Sequence, residues 1–171
     1  AAHAAIVSDI ATAYSTLLLA ETGERTVLVY RGAADAVTKI PRSLFATQGA
    51  YIAPGGISQD AIGAIVDVLS LRGVFIALNP SGNYIRLGAK LLSSLFSKVS
   101  VLFVNREEAA ILTGVPYNET SKLLRAMDAL TSGIVVVTDG SSGVMVSYHR
   151  NLYKAGTFHE QKVIDRTGAG D

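Results

Sequence analysis

Three short runs, VFIAL at 74–78, VLFV at 101–104 and IVVVT at 134–138, are apolar at almost every position. A strand that alternates apolar and polar residues can keep one face in water. A strand without alternation asks for cover on both faces, the situation of a parallel sheet flanked by helices. The segments between the runs have helical periodicity. In SQDAIGAIVDVLSLRG, Ile62, Ile65, Val66 and Leu69 share one face, with Ser58 placed as a cap and Gly73 as a stop. YIRLGAKLLSSLF aligns Leu87, Leu91, Leu92 and Leu95, although Gly88 weakens its first turn. REEAAILTG is a short helix closed by Gly114, and ETSKLLRAMDALTSG aligns Leu123, Met127 and Leu130. Strand–helix alternation of this kind predicts a single α/β layer structure. At either end lie two hairpin-like pairs: STLLLA with TVLVYR around Gly23, and VMVSYH with LYKAGTF.

Composition excludes several classes of function. The chain has 171 residues, 49% of them apolar and 17% charged, enough to bury a substantial core. Its net charge of +1 is spread over scattered Lys and Arg, without the basic stripe of a nucleic-acid binder. With no cysteine, disulfides and thiolate chemistry are absent. No run approaches the roughly 20 apolar residues of a membrane span, and the opening segment lacks the basic start of a signal peptide, so a cytoplasmic protein is expected. His3, His149 and His159 are too dispersed for a metal site, GSSG is not a hydrolase elbow, and Asn118 or Thr120 is expected to cap a helix rather than carry a glycan.

Polar residues collect directly after the apolar strands. Asn79 follows the first, Asn105 the second, and Thr138 with DGSSG the third. Ligands of open parallel sheets bind beyond the carboxyl ends of the strands. Each residue alone is explained as readily by helix capping. Their recurrence, with the Gly-rich turns DGSSG and TGAGD, points to a ligand bearing phosphate. In IDRTGAGD, Gly168 and Gly170 allow a tight turn whose N–H groups can meet an anion, beside the carboxylate of Asp171.

In this order and with helical spacers, LNPSG, VNREEAAILTG, VTDGSSGV and DRTGAGD resemble the ribokinase-like (PfkB) carbohydrate kinases. The resemblance implies a three-layer α/β/α sandwich with part of a β lid, and transfer of the ATP γ-phosphate to a hydroxyl of a sugar or sugar acid. By resemblance Asp171 is the general base, and Gly168, Ala169 and Gly170 form the anion hole. Thr138, Asp139, Gly140, Ser141, Ser142 and Gly143 form the loop along the nucleotide. Asn105 stands near the phosphates, and Glu108 holds Mg²⁺ through water. Asp165 and Thr167 fall where many members bind a monovalent cation such as K⁺. Tyr30 and Arg31 end a lid-like hairpin over the substrate, and Asn79 and Gly55 face the sugar. No GxxxxGK[ST] is present, so a P-loop is excluded.

Two positions depart from the family pattern. Asp139 replaces a usually apolar residue, and a neutral change on the exposed side of its turn is expected. Arg166 adds bulk beside Asp165. The family's Gly-Gly sugar-binding segment and the helix beyond the base are not in this sequence, so a central fragment is expected, inactive alone. Residues 1–34 are assigned to the lid region and 35–171 to the core, with a homodimer through the lid strands as a further expectation. A non-catalytic nucleotide- or sugar-binding remnant and a nucleoside or vitamin-precursor kinase of the same fold remain as alternatives.

Overall fold

A computed structural model describes residues 9–20, 25–36, 45–80 and 82–157. Strands β1 (Tyr14–Leu19) and β2 (Arg25–Tyr30) pair antiparallel as a separate two-stranded sheet, the foreseen hairpin. The chain continues through β3 (Gly49–Ile52), α1 (Gln59–Leu71), β4 (Phe75–Leu78), α2 (Gly82–Ile85), α3 (Ala89–Phe96) and β5 (Val101–Asn105). It then forms α4 (Arg106–Thr113), α5 (Thr120–Asp128), β6 (Ile134–Thr138), β7 (Val144–Tyr148) and β8 (Asn151–Ala155). The second sheet runs β3-β4-β5-β6-β7-β8, parallel through β6 and antiparallel thereafter. Strand β3 was not anticipated: four residues beginning with Gly and followed by APGG carry little strand signal.

Parallel neighbours taken in sequence order, each joined by a right-handed crossover, put their helices on one side of the sheet. The register agrees. Leu78, Leu102, Val135 and, one pair further along, Val104, Val137 and Met145 lie in line across β4 to β7. These residues are buried in one core with Ile62, Val66 and Leu69 of α1, Leu92 and Phe96 of α3, Leu112 of α4, and Leu123 and Met127 of α5. The alternate positions differ. Phe103 and Val136 are half-buried, while Phe75 and Tyr51 are exposed. Among the described residues the helices thus supply one cover of the sheet, and the apolar character of the other face exceeds the cover these residues give it.

Helix limits follow local chemistry. Ser58 Oγ accepts from the Ala61 N–H at 3.3 Å at the start of α1, as expected of a cap. Gly114, with φ +67°, closes α4 in the left-handed conformation. The single helix expected over 84–96 is instead two, because Gly88 at φ +81° breaks it. The break rotates the face, leaving Leu87 and Leu91 exposed while Leu92, Leu95 and Phe96 are buried. Glu119, not Asn118 or Thr120, is the N-cap residue of α5 and makes no side-chain cap bond. Ser147, fully buried on β7, donates to Asp128 Oδ2 at 2.6 Å and ties α5 to the sheet.

Leu102 lies at the centre of this core with no exposure. Leu102→Ala is expected to destabilise the fold by about 2–5 kcal/mol, the usual cost of a large-to-small core change. Chemical denaturation would read this as a lowered midpoint at unchanged slope.

Candidate functional site

Strands β5 and β6 pair in parallel with Asn105 opposite Thr138. Two polar residues that end apolar strands are therefore neighbours at the carboxyl edge of the sheet. A cavity of about 420 Å³ opens there. Asn105, Arg106 and Glu107 line it from β5 and α4, Thr138 to Ser142 line it from β6 and the following turn, and Tyr117 closes its side. The turn is stabilised by its own backbone: Ser142 N–H donates to Asp139 O at 2.8 Å, and Asp139 N–H donates to Gly143 O at 2.8 Å. Gly143 is required there, since it has φ +92° and a Cβ would collide with the carbonyl of Ala155 on β8. The volume falls within the range of small-molecule sites, while the lining is mostly polar.

Asn105 and Glu108 have a structural role that accounts for their spacing. Asn105 Oδ1 accepts from the Glu108 N–H at 2.8 Å, and Glu108 Oε2 accepts from the Asn105 N–H at 2.9 Å. This reciprocal capping box satisfies two backbone donors at the start of α4. One carboxylate oxygen of Glu108 is thereby bonded to the backbone. Among the described residues no cluster of three or more His, Asp or Glu forms a metal cage.

Arg106, which the motifs did not single out, is the best-bonded side chain of the cavity. Its Nε donates to Tyr117 O at 2.9 Å, one terminal nitrogen to Thr120 Oγ1 at 2.7 Å, and the other to Asp139 Oδ2 at 2.6 Å. The guanidinium also lies 4.3 Å from the centre of the Tyr117 ring. Tyr117 Oη in turn donates to Asp139 Oδ1 at 2.9 Å. The expectation of Asp139 on the exposed side of the turn is corrected: its side chain is only 9% exposed and its partners enclose it. Burial pushes the Asp139 carboxyl up, but the bonds from Arg106 and Tyr117 and the guanidinium charge outweigh that and hold it below the ordinary carboxylate value. No spacing rule would pair residues 33 positions apart.

The remaining predicted residues fall elsewhere. Asn79 follows β4, donating from its amide to Tyr51 Oη at 3.1 Å and from its backbone to Ile52 O at 2.9 Å. Gly55 stands in the turn after β3 with φ +56°. Both are on the carboxyl edge of the sheet but outside the cavity lining. Tyr51, whose ring lies 6.1 Å from that of Phe103 and tilted to it, was missed, because β3 itself was missed. Tyr30 ends β2, its ring 5.2 Å from that of Tyr14, and Arg31 follows it, both belonging to the separate hairpin. Asp165, Thr167, Gly168, Ala169, Gly170 and Asp171 lie outside the described residues. No helix among the described residues is long and apolar enough to cross a membrane.

A carboxyl whose folded pKa is depressed contributes stability above its unfolded pKa and loses it as pH falls through the folded value. Wild type is therefore expected to be more stable than Asp139→Asn near neutrality. The gap should close below about pH 4, the ordinary range of an Asp carboxyl. Paired melts across that range check it.

Comparison with known proteins adds the family. The sequence matches the pfkB family carbohydrate kinase description over residues 2–171. No curated protein matches it in sequence. Among solved structures, a probable sugar kinase from Rhizobium etli CFN 42 superposes with a TM-score of 0.79 at 22% identity, over 93% of this chain and 50% of its own. Adenosine kinase from Sinorhizobium meliloti gives 0.79 at 21%, over 93% and 51%. Arabidopsis thaliana ribokinase, in complex with ribose and ATP, gives 0.77 at 18%, over 95% and 54%. The chain thus spans about half the length of these structures, and the likeness shows a shared ribokinase-type α/β fold. The match across nearly every residue makes this chain a member of the pfkB family of carbohydrate kinases.

Proposed function

We propose that this chain belongs to an ATP-dependent phosphotransferase acting on a hydroxyl of a sugar or sugar acid. The observation that carries this reading is the polar cavity between Asn105 and the Thr138–Gly143 turn, in a chain of a kinase family. The turn would run along the nucleotide, with Asn105 beside its phosphates. Phosphoryl transfer asks a protein mainly for positioning and for compensation of negative charge. The N–H groups of Gly168, Ala169 and Gly170 would meet the transferring phosphoryl oxygens. Asp171 would accept the proton of the substrate hydroxyl as its oxygen bonds to phosphorus and ADP leaves. Mg²⁺, held through water by Glu108, would neutralise charge on the phosphates. The capping box fits this indirect role, because only one Glu108 oxygen is bonded to the helix start. Asp165 and Thr167 would bind a monovalent cation such as K⁺. Asn79 and Gly55 would face the acceptor. The β1–β2 hairpin, with Tyr30 and Arg31 at its end, would close as the lid and join two subunits through its exposed apolar strands.

A second reading has the acceptor as a nucleoside. The adenosine kinase from Sinorhizobium meliloti superposes as well as the probable sugar kinase does. ADP release measured over sugars, sugar acids and nucleosides, with the whole polypeptide that carries this chain, separates the two. ATP binding without ADP release on any acceptor would favour a non-catalytic binding protein instead.

Two substitutions test the roles. Asp171→Asn is expected to lower kcat by about 10²–10⁴-fold, the scale of positioned proton transfer, with nucleotide affinity unchanged. Unaltered kcat would remove Asp171 as the base. Glu108→Gln keeps an oxygen for the Asn105 N–H, so thermal stability should hold while the Mg²⁺ concentration for half-maximal rate rises. A melting temperature that falls with an unaltered Mg²⁺ dependence would leave Glu108 as a cap alone.

A further inference from the structure

We infer that Arg106, with Asp139, Tyr117 and Thr120, is a positioning element that sets nucleotide affinity by fixing the Thr138–Gly143 turn against the start of α4. This rests on the reading of the cavity as a nucleotide site.

Three features carry it. First, Arg106 is the opening residue of α4, where the helix dipole disfavours a cation. Its position there is explained by what it reaches: Tyr117 and Thr120 in the connection to and first turn of α5, and Asp139 in the turn after β6. One planar side chain joins the start of α4, the approach to α5 and the turn after β6, which lie apart in sequence. Second, the guanidinium donates from all three of its nitrogens and is stacked on Tyr117, with 17% of the side chain exposed. It therefore acts as a brace rather than as a ligand waiting for phosphate. Third, Asp139 would by itself set a negative charge into a cavity that is to accept an anion. Arg106 neutralises it, and the Tyr117 hydroxyl takes its other oxygen. The charge is cancelled while the turn stays anchored at both carboxylate oxygens.

The fork geometry distinguishes bracing from neutralisation. Lysine carries the same charge as a single point and cannot serve three divergent partners. Asp139→Asn combined with Arg106→Met removes both charges, so any remaining loss comes from the missing anchor.

The test measures nucleotide binding by calorimetry, and KM for ATP and for the acceptor, in the whole polypeptide carrying wild type, Arg106→Lys, Arg106→Met and Arg106→Met/Asp139→Asn. Hydrogen exchange of the amides at 139–143 accompanies it. In all three variants nucleotide affinity should fall by about tenfold or more, equivalent to about 1.4 kcal/mol. KM for ATP should rise in step, KM for the acceptor should stay constant, and exchange in the turn should quicken. Wild-type affinity in Arg106→Lys, or full recovery in the double variant, would overturn bracing in favour of charge cancellation. If Arg106→Met unfolds, Arg106→Lys and Tyr117→Phe, which removes a single hydroxyl, carry the same comparison. Wild type that binds no nucleotide would instead overturn the cavity's assignment, and the brace with it, a result distinct from variants that bind as wild type does.

Discussion

The pairing of β5 with β6 is the constraint on which the rest of the site depends. Both strands are nearly continuous apolar segments, so their only favourable place is inside a sheet, and their register follows from lining up Leu102 with Val135 and Val104 with Val137 against the helices. A slip by one residue would turn these side chains away from the core. The register chosen by packing also sets Asn105 beside Thr138. The polar edge of the sheet is therefore a by-product of apolar order.

The N-x-x-E spacing at Asn105 and Glu108 shows how one pair of residues can satisfy two demands. A helix that begins at a strand end exposes backbone donors, and the capping box closes two of them. A phosphate-bearing ligand would want the same place for a different reason, since helix starts favour negative charge. The box holds the Asn105 side chain and the Glu108 carboxylate in fixed orientations through bonds to the helix start alone. Any function of these groups then begins from a preorganised state, and little side-chain entropy is left to lose on binding.

Much of this was legible in the sequence because its signals are local. Apolar runs gave β4, β5 and β6, Ser58 and Gly114 marked helix limits, and the four motifs in order gave the family. What escaped was either too short or too distant. Strand β3 has four residues and owes its place to pairing with β4. Gly88 was recognised as weak within a helix, but only a positive φ divides α2 from α3 and turns Leu91 outward. The partners of Asp139 come from Arg106 and Tyr117, brought near by the crossover between β5 and β6, and neither position is marked by composition or spacing. The general lesson lies in Asp139: a departure from a family pattern that looks neutral in one dimension can be the centre of a compensated cluster in three.

The sequential strand order has a consequence for how the molecule is made. Because β3 through β8 are neighbours in the order in which they are synthesised, each new strand can dock on one already in place. Among the described strands, none has to wait for a later one to fill a gap between its neighbours. Long-range closure, the slow part of forming parallel sheets, is reduced at each step to one crossover. The Thr138–Gly143 turn closes on its own backbone bonds, and the missing side chain of Gly143 leaves the room that the Ala155 carbonyl of β8 occupies. On a ribosome, docking of the described strands in chain order would let this sheet grow in one direction.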